Sequence, residues 1–112
     1  MTPGEIRGKT LSELRRARKN MMSAEWLDGV KDLPEPERAA AAMGLLEVCL
    51  AIRRLENQGV AAIRQQLAES ERELRKGLHG LERAGKRLQR IKTYLKAATA
   101  LTTAVGKIVG PL

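Results

Sequence analysis

The eight residues Gly80-Leu81-Glu82-Arg83-Ala84-Gly85-Lys86-Arg87 come nearer to a chemical motif than any others in the chain. They meet three of the four specified positions of the phosphate-binding loop. In that loop backbone N–H groups cradle phosphates, a lysine reaches the terminal ones, and a Ser or Thr hydroxyl holds magnesium. The hydroxyl position fails, because Arg87 stands there. The motif also needs a strand before it. Here Leu81 and Leu88 belong to a helical heptad, so the match reads as a coincidence.

His79 is the only histidine and Cys49 the only cysteine. Transition-metal sites draw on several such ligands, so no metal is expected. A histidine-activated serine would have to use His79, and nothing places a serine and an acid around it. Cys49 sits in the apolar run Val48-Cys49-Leu50-Ala51-Ile52, where a thiol packs as a small hydrophobe. One cysteine also excludes an internal disulfide. Glu69, Glu71 and Glu73, and Glu35 with Glu37, fall in helix-surface patterns and read as solvated charge. These residues imply no catalytic group, no cofactor and no enzyme.

Charge offers a broader chemistry. The chain of 112 residues carries a net charge of +8, and residues 60–112 hold eleven basic against four acidic side chains. No acid follows Glu82. Arg83, Lys86, Arg87, Arg90, Lys92 and Lys96 are therefore candidate contacts to an anionic partner. Arg15-Arg16-Ala17-Arg18-Lys19 is a second basic run. With one Trp, one Tyr and no Phe, base stacking has almost no means. Nucleic-acid binding, if it occurs, would be backbone-level and salt-sensitive. An anionic membrane is the other such partner. Ile91, Tyr94, Leu95, Ala98, Leu101, Val105, Ile108, Val109 and Leu112 form a wide apolar face beside basic residues, as interfacial helices do. A bundle core needs the same face and is its commoner use.

These side chains need helices to position them. Leu67, Leu74, Leu81, Leu88 and Leu95 fall seven residues apart, in a register reaching Val60 and, past Thr102, Val109. Only an α-helix sets every seventh residue on one stripe. The companion column reads Ile63, Ser70, Gly77, Ala84, Ile91, Ala98 and Val105. Its small middle members, Gly77 and Ala84 above all, would let another backbone approach closely. Arg87 would face Lys92 in a parallel dimer, like against like, so antiparallel or higher-order packing is preferred.

Upstream, residues 1–9 read as loose, and Thr10-Leu11-Ser12-Glu13 reads as a capping box for a short helix. Ser23 can cap a second, carrying Trp26 as a core anchor. Pro34-Glu35-Pro36 forbids a helix through it. From Glu37 a helix apolar nearly all round follows, of the kind buried on several sides in a bundle or an oligomer. At Gly59 the stripe continues without a capping residue, which favours one continuous helix over a hairpin.

The expected fold class is all-α: a long helix or helical hairpin with coiled-coil-like heptads, after one or two short helices, completed by oligomerisation. It divides into a short-helix segment, 1–33, and a long helical region, 34–112, with 57–59 as the alternative turn. The expected function is a non-enzymatic helical interaction or self-assembly module packing through Leu67, Leu74, Leu81, Leu88, Leu95, Ile63 and Ile91. Its partner would be a second copy or a helical protein. Membrane-surface binding and sequence-nonspecific nucleic-acid binding are the alternatives. Met1-Thr2-Pro3-Gly4-Glu5 lacks the apolar core of a signal peptide, so the expected location is cytoplasmic, with membrane association as the variant.

Overall fold

Thr2-Pro3-Gly4-Glu5 starts the first helix. The computed structural model describes residues 1–110, and α1 spans Pro3–Asn20. The Thr2 hydroxyl accepts from the Glu5 N–H at 3.2 Å, and the Glu5 carboxylate accepts from the Thr2 N–H at 3.3 Å. With Pro3 in the first turn, this is a complete helix-start signal. The backbone bond from Thr2, then its side-chain bond, hold the Glu5 carboxyl below its ordinary pKa. The loose N-terminus expected from Gly4 and Gly8 is thus corrected. The Thr10–Glu13 box is unused, since Thr10 lies buried mid-helix and its hydroxyl donates to the Ile6 carbonyl at 2.7 Å. The earlier start extends the buried row to Ile6, ahead of Leu11, Leu14 and Ala17.

Ser23 caps α2, Ala24–Lys31, accepting from the Trp26 N–H at 3.2 Å. Trp26 is buried and meets Tyr94 edge to face, with ring centroids 5.4 Å apart. The two prolines then set the start of α3, Glu35–Glu56, whose first turn holds Glu35 and Glu37. An acid there suits the positive end of the helix dipole.

α3 stops at Glu56, and α4, Val60–Glu69, begins after Gly59. The continuous helix preferred from the stripe is therefore corrected to a turn at 57–59. Gly59 is not a left-handed cap; its φ is −69°. The end of α3 is closed from a distance instead. The Arg7 guanidinium donates to the carbonyls of Leu55, at 3.0 Å, and Gln58, at 3.1 Å. A cation that hydrogen-bonds carbonyls at a helix end does the work of a cap.

The heptad region breaks twice more. Ser70 separates α4 from α5, Glu71–Ala84, and residues 85–90 form a turn before α6, Ile91–Val109. A single helix over residues 60–109 would be about 75 Å long. The longest extent of the molecule is 44 Å. Folding back lets α1 pack on α3, α4 and α5, and α6 on α3 and α5. The heptad columns change roles at the second turn. Leu67, Leu74 and Leu81 point into the core from α4 and α5. Beyond residue 90 the core row becomes Ile91, Ala98 and Val105, flanked by Tyr94, Leu101 and Ile108. Leu88 and Leu95 are left at its edge, half-buried.

Candidate interaction surfaces

Leu67, Leu74 and Leu81, the middle of the stripe expected to meet a partner, are at most 1% exposed. Ile63 and Ile91 are buried with them. Against them lie α1 and α6 of the same chain. Burying a leucine releases about 1.5–3 kcal/mol, and here that gain is spent on the monomer. Gly77 is half-buried where α5 crosses α6, opposite Leu101. Ala84 packs at the core's edge. The close approach at Gly77 is thus made within the chain.

The apolar face of residues 91–112 has the same fate. Tyr94, Ala98, Leu101, Val105, Ile108 and Val109 are buried, Leu95 is half-buried, and Leu112 lies outside the described residues. Among the described residues no helix is long and apolar enough to cross a membrane. Burial raises the Tyr94 hydroxyl pKa, partly offset by its hydrogen bond to Asn20 at 3.2 Å.

What remains outside is one side of α3. The buried side of this helix is the row Ala41, Gly44, Val48, Ala51, Ile52 and Leu55. Gly44 is there because Leu95 of α6 occupies the space a Cβ would take. The opposite side carries Met43, Leu46 and Leu50, 56%, 51% and 38% exposed, at helical spacings of three and four. Ala39 and Ala42 are exposed beside them, and Cys49 is half-buried at the edge. These three side chains are the large apolar groups that α3 leaves exposed, in one line along the helix. The charged ends of this face are Glu35 and Arg53, both exposed. Neither belongs to an ion pair among the described residues. In sequence α3 is apolar nearly all round, and periodicity alone does not mark which side the chain's own helices cover.

The six candidate cations separate. Lys92 turns to α3 and pairs with Glu37 at 3.2 Å. Lys96 lies along the groove between α3 and α6 that Leu33, Ala40, Ile91 and Leu95 line. Arg83, Lys86, Arg87 and Arg90 converge on another groove, at the α5–α6 turn, with Thr93 on its wall. His79 is exposed on the far flank of α5, near Glu82. The segment resembling a phosphate loop is thus the end of a helix and a turn, with Gly80 and Leu81 inside α5. Among the described residues no three of His, Cys, Asp and Glu stand close enough together to hold a metal ion.

Compared with protein families, with characterised proteins and with solved structures, the chain matches none.

Proposed function

We propose that this protein is a non-enzymatic helical module that self-associates, and that it pairs through the outer face of α3 rather than through the leucine heptad. The observation that carries this reading is the exposed line Met43, Leu46 and Leu50 on a helix whose other side is fully used.

A second copy is the occupant that fits. Glu35 and Arg53 are eighteen residues apart, which is five turns, so they lie on one edge of α3 at opposite ends. An antiparallel two-fold pairing of α3 with itself sets Glu35 against Arg53 of the second copy, and the converse. A two-fold contact must be self-complementary, and this edge is. The same register lays Leu46 beside Ala42 and Met43 of the second copy, and Leu50 beside its Ala39. Large meets small, as interdigitating helices require. The face is a single helix about 33 Å long, a narrow contact beside the multi-element patches of standard interfaces. The association is therefore expected to be weak and concentration-dependent.

Sedimentation across a concentration series tests it. The wild type should shift from monomer to dimer as concentration rises. Leu46→Asp should hold it monomeric without lowering its melting temperature. Glu35→Arg or Arg53→Glu alone should weaken the dimer, and the two together should restore it. A wild type that stays monomeric at high micromolar concentration sinks the proposal. Failure of the double exchange to restore pairing sinks the antiparallel register.

A further inference from the structure

We infer that the groove at the α5–α6 turn binds the phosphodiester backbone of double-stranded nucleic acid, through Arg83, Lys86, Arg87 and Arg90, without reading its bases. The four side chains are exposed and line one concavity. None of them forms an ion pair among the described residues; what sets them apart from the other unpaired cations is that they share one concavity. Glu82 shares a neighbouring concavity with Arg83 and Lys86 but forms no ion pair with them among the described residues, and no acid follows it in the sequence.

The local backbone adds to the positive field. Arg90 is the N-cap of α6, no side chain caps this helix, and its first turn holds no acid. Its free N–H groups and the positive end of its dipole therefore stand beside three cations, Lys86, Arg87 and Arg90. Like charges gathered at a helix N-terminus repel unless an anion joins them. Phosphate oxygens accept from arginine forks and from such N–H groups together. Thr93, on the groove wall, offers a hydroxyl to the same oxygens.

The kind of polyanion follows from what surrounds the groove. Trp26 and Tyr94, the only aromatic residues, are buried. Single-strand binding relies on aromatic stacking, so a duplex, whose bases are already stacked, is the better fit. Among the described residues the exposed large apolar side chains are Met1, Met22, Leu27, Met43, Leu46 and Leu50, none of them in α5, α6 or the turn between. Among the described residues a membrane surface would find cations here but no apolar wedge to insert.

The test is fluorescence anisotropy with a labelled duplex and a labelled single strand of mixed sequence, at several salt concentrations. Four phosphate contacts predict that raising salt from 50 to 200 mM weakens duplex binding about 100-fold. Arg87→Gln with Arg90→Gln should roughly halve the slope of log affinity against log salt. Lys107→Gln, which removes a cation paired with Glu73 elsewhere, should leave that slope unchanged. The variants change exposed residues only, and an unchanged circular-dichroism melt checks that they fold. No duplex binding at low salt overturns the inference. So does a slope that the double substitution leaves intact, since charge would then act diffusely. Tighter binding of the single strand overturns it as well. Anionic vesicles that bind wild type but not the double variant, with duplex ignored, would assign the groove to a lipid surface instead.

Discussion

Gly77 of α5 lies against Leu101 of α6: a Cβ at Gly77 would stand 3.1 Å from the Leu101 Cδ1 and 3.4 Å from its Cα. The first distance is the tight one, because Leu101 is fully buried and its Cδ1 must give by a few tenths of an ångström, whereas the second is ordinary van der Waals contact. The small residue in the heptad thus marks where two helices of one chain cross.

Two glycines of α5 should respond differently to the same change. Gly80 is exposed, with nothing within 4 Å of an added Cβ. Gly80→Ala should therefore gain the full helix-propensity difference, about 1 kcal/mol. Gly77→Ala gains the same propensity but presses on Leu101, and should come out near neutral. Gly77→Leu overpacks the crossing and should cost at least 1–3 kcal/mol. Urea unfolding of the three variants reads all of this. Equal gains for the two alanines would mean that α5 and α6 stand further apart.

Leu74→Ala should cost about 2–5 kcal/mol, as a fully buried leucine does. The loss should appear as lower thermal stability of the monomer at every protein concentration. If Leu74→Ala instead abolished a dimer while the monomer melted as before, the stripe would be an intermolecular contact.

Glu13 contributes a pH dependence. Its side chain is only 14% exposed, and burial raises its carboxyl pKa above the ordinary value. Arg16, 3.8 Å away, lowers it again in part, and the field of Glu82 raises it further. The folded protein therefore holds this proton more tightly than the unfolded chain. Stability from this group is full below the ordinary glutamate pKa of about 4.3. It is lost as pH rises through the raised folded value. Glu13→Gln should stabilise the protein at pH 7 and bring little or no gain at pH 4. A gain of equal size at both would show that packing, not ionisation, is responsible.

Fold class was legible in the residues themselves. Helix-forming composition, the prolines around Glu35 and the seven-residue leucine spacing act through local backbone geometry, and local geometry is what sequence carries directly. The Thr2–Glu5 box has the same spacing as Thr10–Glu13, but the glycines at 4 and 8 made residues 1–9 read as loose and hid it. Which box is used depends on whether Ile6 finds a core to enter, and that is a tertiary matter.

The breaks and the surfaces were decided only by the whole fold. At 57–59 the sequence offered a turn only as the alternative; in the fold Arg7, some fifty positions away, hydrogen-bonds the carbonyls of Leu55 and Gln58 there. Periodicity shows which residues share a side of a helix, not which neighbour covers that side. Leu67 to Leu81 and the outer row of α3 are both apolar stripes at helical spacing. Tertiary packing buried the first under α1 and α6 and left Met43, Leu46 and Leu50 in water. One helix can be covered on only as many sides as the chain has helices to offer, and α3 has more apolar sides than that.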